Sequence, residues 1–358
     1  MSVTLGAWLH AIDPFLLRIS GDIGVRWYGL AYIAGFLIAY LMMRGLAKRG
    51  LIQIPFERVA DAMLILIVGT LVGGRLVYVL VYDRSLLTSF SSGFPFWGVF
   101  AINRGGMASH GGMVGVIAAS WRVSRGWKLA DGRIIGRTSW LHVLDITAAC
   151  CTVGLGLGRV ANFINGELLG KVKTPAGVEG PWWTVQFPQE LTHFKINLNP
   201  DQSAKLDRLL TEVAPGLPYN AALDRLITRA ATVSDQLKPL LTSRHPSQLY
   251  QAIAEGVILT TVLWLIWARP RKPGVVGCWF MIIYGVLRIL TEFRRLPDAQ
   301  FGDRANTYGL SMGQWLSVGM IGVGLAVLIV SLRRPVPKLG GWLRREQPTS
   351  AGSTMHGS

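Results

Sequence analysis

Charge is scarce in this chain. Only 16% of its 358 residues are Asp, Glu, Lys or Arg, where soluble domains carry about 25%. Hydrophobic residues make up 51% and the mean hydropathy is +0.38. That balance excludes an ordinary soluble domain and points to a membrane protein. Acidic residues are scarcer still, 20 against 36 Lys and Arg, for a formal net charge of +16. Such an excess admits a nucleic-acid partner until its positions are read, and they rule that class out: the basic residues cluster between apolar runs. Cysteine is nearly absent. Cys150, Cys151 and Cys278 lie in apolar runs without zinc or disulfide spacing, so they read as small core residues. No ligand spacing of the HExxH kind is present, so no metal is expected. The first 24 residues lack a basic start followed by an apolar core and carry Asp13, Pro14 and Arg18 instead; no signal peptide is expected. No internal repeat is found.

What is abundant is apolar runs of about 20 residues, the length a bilayer core requires. They fall near 26–43, 59–82, 106–122, 141–163, 248–268, 275–294 and 312–332. The expected fold is an all-α polytopic membrane protein with seven transmembrane helices and a small extracytoplasmic head. Basic residues crowd alternate connections: Arg44, Lys48, Arg49 and Arg58 in the first, Arg122, Arg125, Lys128, Arg133 and Arg137 in the third, Arg269, Arg271 and Lys272 in the fifth. The end of the chain adds Arg333, Arg334, Lys338, Arg344 and Arg345. The other connections are poor in basic residues or balanced, as in Asp83/Arg84 and Asp303/Arg304. The positive-inside rule then puts the N-terminus outside and the C-terminus in the cytoplasm, with anionic lipid headgroups facing the basic loops. The expected divisions are an outside segment 1–25, helices 1–4 with a lipid-binding site over 26–165, a head over 166–243, helices 5–7 over 244–332, and a basic tail 333–358 ending in disorder. The head carries eight Lys or Arg against eight Asp or Glu, as a soluble element would.

Four places break the hydropathy. GGRLVYVLVY puts Arg75 and Tyr78 on one helical face. GGMASHGGM sets His110 among small residues. GLGLGRVANFINGELLG ends an apolar run with Arg159, Asn162, Asn165 and Glu167, and YGVLRILTEFRR repeats Tyr284, Arg288, Glu292 and Arg295 every three or four residues, one polar stripe on an apolar helix. Ionisable residues at membrane depth cost several kcal/mol unless paired or solvated. Plain structural roles exist for each: Arg288 and Glu292 neutralise one another, Arg75 snorkels to phosphates, and Gly154, Gly156 and Gly158 let helices approach. Those roles leave the coincidence on four spans unexplained. Gathered near the outer face, the arginines form a cationic cavity suited to a lipid phosphate.

GRVANFINGELLG closely resembles the signature of the bacterial prolipoprotein diacylglyceryl transferases. The resemblance extends through RWYGLAY, GGRLVYVL, GGMASHGGM, RHPSQLYQ, YGVLRILTEFRRLPDAQF and SMGQ, in family order and across every span. It implies a seven-span inner-membrane enzyme that moves the diacylglyceryl group of phosphatidylglycerol to the lipobox cysteine of a prolipoprotein, forming a thioether and releasing glycerol 1-phosphate. No soluble cofactor is implied. By motif position it makes Arg159 the principal phosphatidylglycerol-binding residue, and marks His110, Asn162, Glu167, Gly170 and Tyr28 as important; Arg75, Tyr284, Arg288 and Glu292 match the family's polar core. Two departures stand out. Gln251 ends a block where the family often carries Glu, although Glu255 one turn on is retained, and the segments GWKLADGRIIGRTSW and Asn197 to Leu241 are longer than usual.

The reaction so implied needs a thiolate and a stabilised phosphate leaving group. A free cysteine has a pKa near ~8.5, so a base or a cationic field must favour its thiolate. Arg159 and Arg288 are expected to clamp the phosphodiester, and His110, or else Glu167, to take the thiol proton. The rival reading is a lipid transporter or flippase with a cationic intramembrane cavity; the sequence shows no paired halves of the kind such folds carry.

Overall fold

The computed structural model describes residues 6–20, 23–93, 95–101, 105–193, 198–296, 306–307 and 309–343. The 297–305 part of the YGVLRILTEFRRLPDAQF block with Asp303/Arg304, Asn197 at the start of the longer head segment, and the tail from Arg344 lie outside the described residues.

The chain opens with β1 (Trp8–Leu9), β2 (Phe15–Ser20) and β3 (Ile23–Arg26), then enters α1 (Trp27–Lys48). Next come α2 (Val59–Val77), continued by a π turn Tyr78–Tyr82, α3 (Ser109–Ser124), the hairpin β4 (Trp127–Lys128) and β5 (Ile134–Ile135), and α4 (Trp140–Asn165). Short elements follow: β6 (Val172–Thr174), β7 (Val185–Gln186), α5 (Glu190–His193), α6 (Pro200–Val213), α7 (Tyr219–Thr228), α8 (Ser234–Leu237) and β8 (Ser243–Arg244). α9 (Ser247–Gln251) passes through the π segment Ala252–Ile258 into α10 (Leu259–Trp267), and α11 (Val275–Glu292), β9 (Asn306–Thr307), β10 (Leu310–Ser311) and α12 (Met312–Arg333) complete the order.

Among the described residues, six helices are long and apolar enough to cross a membrane: Trp27–Lys48, Phe56–Tyr82, Trp140–Asn165, Ser247–Trp267, Val275–Glu292 and Met312–Arg333. Helices dominate because hydrocarbon offers no partner for backbone N–H and C=O groups, which an α-helix satisfies within itself. The run expected near 106–122 is α3, which has 16 residues and so extends about 24 Å. The expectation of an all-helical chain needs correcting in one respect. The described residues also form small sheets, the largest of four strands in the order β1-β7-β8-β6. The strands of that four-stranded sheet, two or three residues each, leave no alternating pattern to read.

The chain divides into two compact units. The first is drawn from Met1–Leu41, Cys150–Thr260 and Phe280–Ala326. Its apolar helices meet at glycines. A Cβ on Gly156 would lie 2.6 Å from the Gly256 Cα, and one on Gly35 would lie 3.0 Å from the Gly154 Cα, so at these crossings backbone packs on backbone. Gly158 has nothing within 4 Å of a built Cβ and takes no part. Polar pairing reinforces the contact where the Thr260 hydroxyl donates to Thr152 Oγ1 at 2.7 Å. Beyond the long helices, α6 starts in a reciprocal cap between Asn199 and Gln202, and Leu206, Leu209, Leu223, Leu226, Leu237 and Leu240 close a small core of their own.

The second unit is drawn from Met42–Ala149, Thr261–Trp279 and Val327–Ser358. Here α2 and α3 cross through two small-residue pairs spaced by four, Gly69/Gly73 and Gly111/Gly115. A Cβ on Gly111 or Gly115 would run into backbone of the facing helix. Asp145 is buried at 2% exposure, and its carboxylate accepts from the backbone N–H groups of Gly274 and Gly277, both at 2.7 Å. It therefore caps the start of α11 from 129 residues away, supplying acceptors to N–H groups that no helix turn can satisfy. Lys272 serves the opposite pole of α12, donating to the Leu332 and Arg334 carbonyls at 2.7 Å each.

Candidate functional site

The polar end of GLGLGRVANFINGELLG is shaped by how α4 stops. Gly166 has φ +66, a conformation glycine adopts without a Cβ penalty. Its N–H bonds the Phe163 carbonyl and the Glu167 N–H bonds the Asn162 carbonyl, both at 3.0 Å, the paired closure of a Schellman motif. The chain then turns sharply, with Leu168 at φ +55, and Glu167 is left exposed beside Asn165, whose amide donates to it at 3.2 Å. The following helix seals the turn: Gln248 Nε2 donates to the Glu167 carbonyl at 2.5 Å and the Ser247 hydroxyl to the Leu168 carbonyl at 3.1 Å.

Nearly two turns before that stop, Arg159 Nε donates to Glu255 Oε2 at 2.9 Å. Glu255 is fully buried in the π segment of the helix Ser247–Trp267, and the pair spans 96 residues. The Arg159 guanidinium also donates to the Tyr284 hydroxyl. Tyr28, on the first turn of α1, lies within electrostatic reach of both Arg159 and Glu167 and bonds Tyr32 at 3.4 Å. Asn162, one turn from Arg159, is buried at 7% exposure. On α11, Glu292 pairs with Arg288 at 3.1 Å and with Arg295 at 3.5 Å, while its other oxygen accepts from the Ser311 hydroxyl at 3.2 Å. Arg288 Nη1 is buried with no hydrogen-bond partner among the described residues. Tyr284 feels both Arg159 and Arg288. The first unit thus brings together Tyr28, Arg159, Asn162, Glu167, Tyr284, Arg288 and Glu292, with Glu255 as an eighth member.

Gly170 stands differently. It forms an antiparallel bridge with Arg295, its carbonyl accepts from Arg244 Nη1 at 3.1 Å, and a Cβ there would collide with the His245 carbonyl. Its neighbours are backbone, so the glycine is required by close approach. Arg244 in turn pairs with Glu190, which is fully buried and also accepts from the Thr242 backbone and hydroxyl.

Arg75 and His110 belong to the second unit. Arg75 is buried at 5% exposure, and its guanidinium donates to four backbone carbonyls: Val99 at 2.7 Å, Gly105 and Gly106 at 2.8 Å, and Gly98 at 2.6 Å. Four of its five N–H donors are spent on the loop before α3. His110 is exposed on the first turn of α3. No group of three or more His, Cys, Asp or Glu able to hold a metal occurs among the described residues.

His10 was not singled out from sequence. It is 1% exposed; Nε2 donates to the Phe163 carbonyl at 2.7 Å and Nδ1 accepts from Gln189 at 3.4 Å, within rings of Trp8, Phe163 and Phe187. Burial lowers its pKa to about 4. Above pH ~6.5 neither folded nor unfolded chain protonates it; as pH falls from ~6.5 toward about 4 the unfolded chain binds the proton first, so stability is lost across that window. A shift of this size corresponds to about 3 kcal/mol at its full extent. Thermal unfolding at pH 7 and pH 4.5 should show an acid-induced loss that His10→Gln reduces; an equal loss in the variant would remove His10 as its source.

A profile of prolipoprotein diacylglyceryl transferases matches residues 14–330. Among curated relatives, the phosphatidylglycerol–prolipoprotein diacylglyceryl transferase of Bdellovibrio bacteriovorus is 39% identical over 355 residues, covering 94% of this chain and 97% of its own. Proteins of the same name are 36% identical in Geobacter sulfurreducens, covering 91% of this chain and 97% of theirs, and 35% identical in Xanthomonas oryzae pv. oryzae, covering 96% and 98%.

Proposed function

This chain belongs to the prolipoprotein diacylglyceryl transferase family, and from that membership we propose that it moves the diacylglyceryl group of phosphatidylglycerol to the lipobox cysteine of a prolipoprotein. The sulfur bonds to the glyceryl carbon that bears phosphate, the carbon–oxygen bond breaks, and glycerol 1-phosphate leaves with the electron pair. The observation that carries the reading is the Arg159–Glu255 pair with Tyr284 and Arg288 beside it. Glu255 fixes the Nε edge of Arg159, so the guanidinium is held in place before substrate arrives. Its remaining N–H groups, with Arg288 Nη1, offset charge that grows on the leaving phosphate. Gly170 acts as a positioning residue in this reading, since its contacts are to backbone, whereas Arg75 holds the loop before α3 through backbone carbonyls. The rival transporter reading has no support in the names of the relatives.

Purified protein incubated with phosphatidylglycerol and a lipobox peptide should yield a peptide heavier by one diacylglyceryl group, read by mass spectrometry. Unmodified peptide and intact lipid would defeat the reading. The proton acceptor follows from substitution: the candidate, Glu167→Gln or His110→Gln, whose folded variant still binds peptide and lipid but no longer transfers is the acceptor.

The proposed topology has α3 as a seventh, short span, the N-terminus outside, residues 166–243 outside and the C-terminus in the cytoplasm of a bacterial inner membrane. The basic connections support it. A reporter fused after Arg334 should read cytoplasmic, and one inserted near Asp201 should read outside; the reverse at either point sinks the arrangement.

A further inference from the structure

Outside the site above, one cluster of cations has no counterpart in the chemistry proposed. Where α3 ends, Trp121, Arg122, Arg125, Gly126, Lys128 and Ile134 line a shallow pocket of about 340 Å³. Three of these six are cations and none is an acid. Asp131, the acid nearest in sequence, is paired with Arg133 at 2.6 Å. Among the described residues Arg122 donates to the Gly126 carbonyl at 3.2 Å, and Arg125 stacks on Trp121 at 5.2 Å from the ring centre. The frame beneath is built rather than loose. Gly126, at φ +73, turns the chain where any Cβ would strike the facing strand backbone, and the β4–β5 hairpin follows with Trp127 buried. Arg122 therefore leaves the last turn of α3, Arg125 its C-cap, and Lys128 the strand just after it.

A helix C-terminus attracts cations on its own account, because its carbonyls carry partial negative charge. That accounts for a cation in the last turn, as Arg122 is, and the positive-inside bias accounts for a basic connection, but neither sets Arg125 and Lys128 around one pocket. The second observation lies on the same helix. Met113, Val114, Ile117 and Trp121 are each 47–60% exposed and recur at helical spacing, an apolar stripe about 12 Å long that leads into the pocket, with half-exposed Ile134 on its other side. A cationic pocket at the end of an apolar track, with a tryptophan between them, matches an acyl chain joined to a phosphate. Soluble anions have no use for the track.

We propose that this pocket binds the phosphate of an anionic phospholipid whose chain lies along the Met113–Trp121 stripe, independently of the transferase reading. Native mass spectrometry of the detergent-purified chain, with phosphatidylserine as the probe, tests it. Arg125→Gln/Lys128→Gln should weaken phosphatidylserine binding by roughly 25-fold, about fivefold per exposed charge. Arg125→Lys/Lys128→Arg should stay within about threefold of the parent because the charge remains. Phosphatidylcholine of the same chains should bind parent and Gln variant alike, and millimolar inorganic phosphate should not displace phosphatidylserine. Equal phosphatidylserine binding by the Gln variant would overturn the proposal, and so would an equal loss of phosphatidylcholine. Displacement by inorganic phosphate would overturn it in favour of a soluble anion. The substituted side chains are exposed, and far-ultraviolet circular dichroism confirms that each variant is folded.

Discussion

Arg159→Lys is expected to lower transferase turnover roughly 10- to 100-fold, and Arg159→Ala by more. Lysine keeps the charge but offers a point donor in place of a planar fork. In the parent, Nε serves Glu255 at 2.9 Å and one further donor meets the Tyr284 hydroxyl, while the other N–H groups stay available. One ammonium cannot hold that carboxylate and two phosphate oxygens in the same geometry. A lost charge-assisted hydrogen bond is worth ~1.5–3 kcal/mol, which gives the range stated. Alanine has a second consequence: it strands Glu255, a carboxylate whose side chain is 1% exposed, and breaking a buried pair costs about 3–5 kcal/mol. Arg159→Ala/Glu255→Gln removes the stranded charge and separates a folding loss from a catalytic one. If the folded double variant turns over normally, Arg159 only anchors the helix, and the phosphate clamp passes to Arg288.

The apolar runs made six long helices legible, because hydrocarbon imposes one rule on every backbone group it surrounds. Polar residues inside those runs were legible for the same reason, and Tyr28, Arg159, Asn162, Tyr284, Arg288 and Glu292 do fall in one unit. What their side chains touch was not. Arg159 and Glu255 are 96 residues apart, and Asp145 and Gly274 are 129 apart; no spacing encodes such pairs. A signal did exist for both carboxylates. Each is a lone acid in an apolar run, which alone marks a position with a buried partner. Arg75 carried the same mark, yet its partners are four backbone carbonyls, and a carbonyl leaves no trace in residue identity. The small sheet escaped for want of length, and His10 for want of neighbours that sequence could supply.

Glu190→Ala should cost about 3–5 kcal/mol of stability, the penalty for leaving one partner of a buried ion pair alone. Glu190 and Arg244 are 0% and 4% exposed, and Glu190 gathers three donors: the Thr242 N–H at 2.6 Å, its hydroxyl at 2.5 Å and Arg244 Nε at 2.5 Å. Alanine strands all three. Replacing both charges, as in Glu190→Leu/Arg244→Met, should recover much of the loss, since apolar packing often matches a buried pair. The two variants separate stability from positioning. Arg244 is also the donor to the Gly170 carbonyl at 3.1 Å, and Gly170 leads on from the turn that ends at Leu168. The stability-restored double variant should therefore still show impaired transfer, because the segment after Glu167 has lost a tether that methionine cannot supply. Thermal unfolding and turnover measured on the same preparations decide between the outcomes. If the double variant recovers stability and turns over at the parent rate, the Arg244–Gly170 contact is a fold contact alone. If Glu190→Ala is destabilised by less than about 1 kcal/mol, the range seen for exposed pairs, the pair is not acting as a buried one.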